Sequence, residues 1–172
     1  MRRVRYSVAM SLDGFIAGPK GESDWIVMDP EIDFKTMMGS FDTILMGRGT
    51  YEASRKMGGG GGGMPGMSAY VFSRSLAQTD VKGATVSSDP KATIGEIKAK
   101  PGKDLWLFGG GGLFRSLIDL GLVDAIEVSV IPVVLGSGTP LLPDGKRHKL
   151  KLEKQRLYAK TGTLGLDYSV VR

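Results

Sequence analysis

The chain has 172 residues, 41% of them hydrophobic and 24% charged, which fits one domain spanning residues 1–172 and excludes wholesale disorder or a fibre. It has no cysteine and a single histidine, His148, so disulfide frameworks, Cys-ligated zinc or iron–sulfur sites and histidine clusters drop out and no metal is expected. The net charge of +5 favours anionic partners, and no apolar run approaches the roughly 18 residues that span a bilayer.

Met1-Arg2-Arg3-Val4 leads straight into strand-like sequence with no apolar signal region, so the cytoplasm is the expected location. Residues 3–10 mix β-branched and aromatic side chains, stop at the turn-prone Ser11-Leu12-Asp13-Gly14, and predict a first strand. After a loop to Met28, Asp29-Pro30 starts a predicted helix with Pro at its first position, Ile32, Phe34, Met37 and Met38 on one side, and Gly39 as its end. Strand 43–46, helix 51–57, strand 69–72, strand 84–87, a helix from Asp89-Pro90 to Lys98, strand 105–108 and strand 125–131 follow. Such alternation implies parallel strands joined by crossover helices. Segments 150–160 and 164–171, joined by Thr161-Gly162-Thr163, predict a hairpin, and the period-2 pattern of 149–153 predicts one wet and one buried strand face. The expected fold is α/β: a central mixed, mostly parallel sheet flanked by helices, ending in an antiparallel hairpin.

Glycine is abundant, with 26 residues concentrated at 58–63 and 109–112. The first run reads as a mobile loop. The second lies between strand 105–108 and a predicted helix, where Gly109, Gly110, Gly111 and Gly112 let the backbone approach a ligand and free N–H groups attract phosphate oxygens. A pyrophosphate suits this turn, and a plain tight βα turn is the competing explanation. Gly47-Arg48-Gly49-Thr50 repeats the arrangement, with Arg48 able to pair with a phosphate and Thr50 able to bind one or cap a helix. Ser73-Arg74-Ser75 sets two hydroxyls and a guanidinium after a strand, a fit for an adenosine 2′-phosphate, with a solvated strand end as the alternative. His148 reads as a surface residue, and the basic segment 146–154 as a wet strand face.

With segments 11–17, 46–52, 71–74, 108–114 and 123–141 in this order, the sequence resembles the dihydrofolate reductase superfamily. It looks closest to the reductase domain of the bifunctional riboflavin-biosynthesis deaminase-reductase and its stand-alone bacterial relatives. The resemblance implies a dihydrofolate-reductase-like three-layer fold and an NADPH-dependent reductase. The implied substrate is heterocyclic, with 5-amino-6-(5-phosphoribosylamino)uracil as the type; a dihydrofolate or pteridine reductase and an idle NADP-binding module are the alternatives. By the same analogy Gly47, Arg48 and Thr50 meet the pyrophosphate or adenosine side, Ser73 and Arg74 the 2′-phosphate, and Gly109 to Gly112, Leu113 and Phe114 the pyrophosphate. Ala9, Ile16 and Thr139 would border the nicotinamide. The carboxylate that folate enzymes carry on their first helix falls at Glu31, with Asp33 as the alternative. The deaminase half needs a Cys/His zinc site, which a chain without cysteine lacks. Arg115 and the Lys146-Arg147 pair have the sign to meet a substrate phosphate. The implied partner is a small molecule, with neither nucleic acid nor membrane. A homodimer is an option, since riboflavin-branch relatives commonly pair and the apolar strand 125–131 would support an interface.

Overall fold

β-Branched and aromatic runs become strands in this chain, and the glycine or Asp-Pro junctions that follow them open helices. The computed structural model describes residues 1–56 and 64–172. In chain order the elements are β1 (Val4–Ser11), β2 (Phe15–Ala17), α1 (Phe34–Gly39), β3 (Phe41–Gly47), α2 (Arg48–Lys56), β4 (Ser68–Phe72), β5 (Thr85–Ser87), α3 (Pro90–Ala99), β6 (Asp104–Gly109), α4 (Gly111–Asp119), β7 (Ala125–Ile131), β8 (Thr139–Pro140), β9 (Leu150–Tyr158) and β10 (Thr163–Val170). The expected mobile loop at 58–63 lies outside the described residues.

Eight strands form one sheet in the order β5-β4-β3-β6-β1-β7-β10-β9. Pairing is parallel from β5 through β7, and β10 is antiparallel to both β7 and β9, so β10 alone runs against the rest. This is the mixed, mostly parallel sheet with a late hairpin that the alternation of elements predicts. β2 and β8, too short to stand out in the sequence, pair as a separate ribbon.

Strand parity divides the core. On one face Val4, Tyr6, Leu45, Leu105, Leu107, Ile126 and Val128 pack with Ile94 and Ile97 of α3 and Phe114, Leu117 and Ile118 of α4. On the other face Ile44, Met46, Ala69, Val71 and Trp106 pack with Tyr51 of α2 and with Met37 and Met38 of α1. That second layer stops at β6. Beyond it the same face carries Arg5 and Ser7 from β1, Glu127 and Ser129 from β7 and Asp167 from β10, which line an open cleft.

Three expectations are corrected. The first helix starts at Phe34 instead of Asp29-Pro30, because Asp33 caps it by accepting a hydrogen bond from the Thr36 N–H at 2.9 Å. Asp29 is buried and is used elsewhere, accepting from the Glu31 N–H and from the backbone and hydroxyl of Thr161 at the hairpin turn. The predicted buried face of β9 is also absent: it is the sheet's outer strand, and Leu150, Leu152 and Leu157 are exposed, with no helix over them among the described residues. Phe114 belongs to the core, 1% exposed with its ring centroid 4.0 Å from that of Tyr6. Phe114→Ala is therefore expected to cost about 4 kcal/mol of unfolding free energy, read from the urea midpoint.

Candidate functional site

All parallel strands present their carboxyl ends at one edge, so the turns that follow β3, β4, β5 and β6 meet there. They enclose a cleft of about 580 Å³, within the range of small-molecule sites, lined by Gly47, Arg48, Gly49, Thr50, Ser73, Arg74, Ser87, Gly110, Gly112, Leu113 and Ser116 among others. The three anion-binding turns read from the sequence thus converge on one site.

Helices α2, α3 and α4 all begin here, adding unsatisfied N–H groups and the positive ends of their dipoles. Arg48 donates to Glu52 at 2.7 Å and to the Ser75 hydroxyl at 2.9 Å, which fixes its position at the rim. The exposed Arg74 guanidinium has no partner among the described residues. Thr50 lies in the first turn of α2, which starts at Arg48, and is not a cap; an added Cβ at Gly110 would come 3.4 Å from its hydroxyl oxygen. Ser87 and Ser88 are lining residues that sequence reasoning missed, although Ser87-Ser88-Asp89-Pro90 is another strand end running into a helix start.

Other expected cofactor residues lie apart from this lining. Gly111 is buried, and a Cβ there would come 2.9 Å from the Pro140 carbonyl oxygen, so its lack of a side chain serves the contact with the β2–β8 ribbon. Gly109, also buried, joins Gly110 through a cis peptide. Ile16 and Thr139 sit in the ribbon itself, and Phe114 faces the core. Ala9 lies at the second cleft.

That second cleft, about 800 Å³, occupies the uncovered half of the sheet face and is walled by the segment leading into α1 and by Trp106, Phe108 and Tyr158. β6 and the turn after it serve both clefts, Phe108 lining this one and Gly110 the other. Its floor is an ordered polar row: Ser7, Glu127, Asp167 and Lys154 are directly opposite one another across β1, β7, β10 and β9. Arg5 holds Glu127 with two bonds, at 2.6 and 3.0 Å, and the Ser7 hydroxyl donates to the same carboxylate. Stacking over Phe41, with the ring centroid 4.5 Å from its guanidinium carbon, keeps Arg5 in place. Asp167 has no hydrogen-bond or ion-pair partner among the described residues; burial and the facing Glu127 push its carboxyl above the usual range.

Glu31 stands outside this lining, on the turn before α1, with its carboxylate 3.4 Å from Arg156 and both side chains about half exposed. Asp33 reaches the cleft, but its oxygens are taken by the Thr36 N–H and hydroxyl, bonds that hold its carboxyl below the usual range. Arg115, on α4, pairs with Asp119 and with His148 from the segment before β9, away from the cleft; among the described residues the cations that line it are Arg5, Lys154 and Arg156. Among the described residues no cluster of acidic or histidine side chains could hold a metal, and no helix is long and apolar enough to cross a membrane.

A mostly parallel sheet with glycine-bearing turns at one edge and a polar cleft on its face defines an α/β protein of the dihydrofolate-reductase-like fold. Residues 2–164 match the RibD C-terminal domain family, and the chain belongs to it. It is 35% identical to the uncharacterized protein YyaP of Bacillus subtilis, over 97% of this chain and 94% of that one. In structure it is similar to a protein from Shewanella sp. PV-4 ascribed to riboflavin biosynthesis, at a TM-score of 0.82 and 22% identity over the full length of both chains. It is also similar to a dihydrofolate reductase from Enterococcus faecalis complexed with NADP(H), at a TM-score of 0.71 and 16% identity, covering 99% of this chain and 97% of that one.

Removing the acid of the Arg5–Glu127 pair leaves a largely buried guanidinium whose only remaining ion pair among the described residues is a 3.4 Å contact to Asp104. Glu127→Ala should therefore lower the unfolding free energy by about 2 kcal/mol, measured by urea denaturation followed by circular dichroism.

Proposed function

We propose that the protein is an NADPH-dependent reductase of a nitrogen heterocycle that carries an anionic substituent, in the manner of the phosphoribosylaminouracil reductases. The observation that carries this reading is the convergence of the turns after β3, β4, β5 and β6 on one cleft lined by Arg48, Arg74, Ser73 and two glycine turns. Those residues fit a phosphorylated dinucleotide: α2 and α4 start on either side of the space, Gly110 and Gly112 leave room for close backbone approach, and Arg74 has an unspent guanidinium. The dihydrofolate reductase with NADP(H) bound shares the fold and supports the same use of the cleft.

When bound, the cofactor supplies hydride from its reduced nicotinamide. The chain's own residues bind and orient. In this reading Gly47, Thr50, Gly110 and Gly112 hold the pyrophosphate, Ser73 and Arg74 take the 2′-phosphate, and Ala9, which lines the second cleft, borders the nicotinamide. Trp106, Phe108 and the methionines near α1 exclude water from the reacting face, which strengthens every polar contact inside. Lys154 and Arg156 on β9 supply cations for an anionic substituent of the substrate. A folate-type carboxylate at the start of the first helix has less support, since neither Glu31 nor Asp33 presents a free carboxylate to the cleft.

Two variants test this assignment by equilibrium titration of nicotinamide fluorescence. Arg74→Ala should weaken NADPH about 10- to 100-fold and leave NADH unchanged, because only the former carries the phosphate. Gly112→Val has open space for its Cβ, so the protein should fold while the branched side chain obstructs the cleft and removes binding. Equal loss of both cofactors in Arg74→Ala, or full affinity in a folded Gly112→Val protein, contradicts the reading.

A further inference from the structure

Directly opposite carboxylates on paired strands repel, and a sheet has no structural reason to keep two of them on a half-buried face. Glu127 and Asp167 are such a pair on β7 and β10. The two acids differ in what they touch. Glu127 is saturated by Arg5 on two bonds and by the Ser7 hydroxyl. Asp167 is half-buried, lines the 800 Å³ cleft and accepts no hydrogen bond from any described residue. Lys154, its opposite neighbour on β9, lies beyond ion-pair distance, although its charge acts in the opposite sense to that of Glu127.

The surroundings of Asp167 are shaped for a flat ligand. Gly165, two residues along β10 and on the same face, has no side chain, and a Cβ there would come 3.2 Å from the Tyr158 ring. Tyr158 in turn carries the Arg156 guanidinium over its face at 4.8 Å. The Tyr158 ring therefore lies against the side-chain-free Gly165, and one unspent carboxylate shares the cleft with them.

We infer that Asp167 is the carboxylate that selects the ligand of this cleft, accepting hydrogen bonds from the adjacent N–H groups of an amidine-type edge on a planar nitrogen heterocycle of the aminopyrimidine class. Glu127 cannot take this role without giving up Arg5. The inference deepens the proposed reductase reading and rests on it only in treating this cleft as the substrate's.

The raised carboxyl of Asp167 adds a second consequence. Its proton is held more tightly in the folded chain than in the unfolded one, so the charged form costs stability as pH rises through and above the ordinary carboxylate range. Glu127, Lys154 and Arg5 are the charged groups that act on it from β7, β9 and β1. A ligand cation or N–H pair would relieve that cost, and so would amidation.

The test uses Asp167→Asn and the full-length parent at neutral pH, with 2,4-diaminopyrimidine as probe and calorimetry as readout. The variant should bind the probe about 10- to 100-fold more weakly, as loss of a charge-assisted contact requires, while its urea midpoint is equal to or above that of the parent. Unchanged probe affinity overturns the inference, as does no binding by the parent. Lost binding together with a lowered midpoint also overturns it, by making Asp167 a structural residue. NADPH titration separates this from the wider proposal: a parent that binds the probe through Asp167 but never binds NADPH refutes the cofactor assignment and leaves this one standing.

Discussion

The parallel alignment of the strands from β5 to β7 is the constraint on which the rest of the molecule depends. A parallel pair needs a crossover, and each crossover returns the chain so that strand ends of the same kind face the same edge. The sheet order places β6 between β3 and β1, which brings Gly110 beside Thr50 although they belong to distant turns. Four turns with little in common except glycine, hydroxyls and arginine thereby become one cleft. Its polarity follows from the same geometry, since helices that start at this edge direct their N–H groups into it.

A second constraint acts across the sheet instead of along it. One face is apolar from β4 to β10 and is covered by α3 and α4, while the other is apolar only as far as α1 and α2 reach. From β1 outward that face carries Arg5, Ser7, Glu127, Ser129, Asp167 and Lys154. Apolar side chains here would leave an exposed hydrophobic patch, and unpaired charges would cost desolvation; the Arg5–Glu127–Ser7 cluster resolves most of the conflict by pairing within the row. Asp29, bonded to Thr161, fixes the segment before α1 to the hairpin turn and so ties one wall of the cleft to the outer strands.

The sequence states the sheet plainly because β-branched runs alternate with helix starts, and it states the lining of the first cleft because glycine, arginine and hydroxyl residues recur after successive strands. Features that depend on neighbours far along the chain are harder to read. Phe114 follows the glycine turn and looks like part of it, yet one helical turn rotates it toward Tyr6. Glu31 and Asp33 resemble first-turn acids until Asp33 is seen as the cap that begins the helix after both of them. The polar row was written in strand parity all along: Arg5 and Ser7 alternate with Val4, Tyr6 and Val8, and Glu127 alternates with Ile126 and Val128. Its meaning still required the register that sets Glu127 opposite Asp167. β9 shows the reverse failure, since its alternation is real but, as the sheet's outer strand, it leaves nearly all its side chains exposed.

A crystal structure of the protein with NADP bound tests the central claim most directly. The account predicts the pyrophosphate between the starts of α2 and α4, the 2′-phosphate beside Arg74, and the nicotinamide reaching Ala9 at the edge of the second cleft. A dinucleotide lying elsewhere, or bound in the first cleft with its adenosine and nicotinamide ends exchanged, would contradict it.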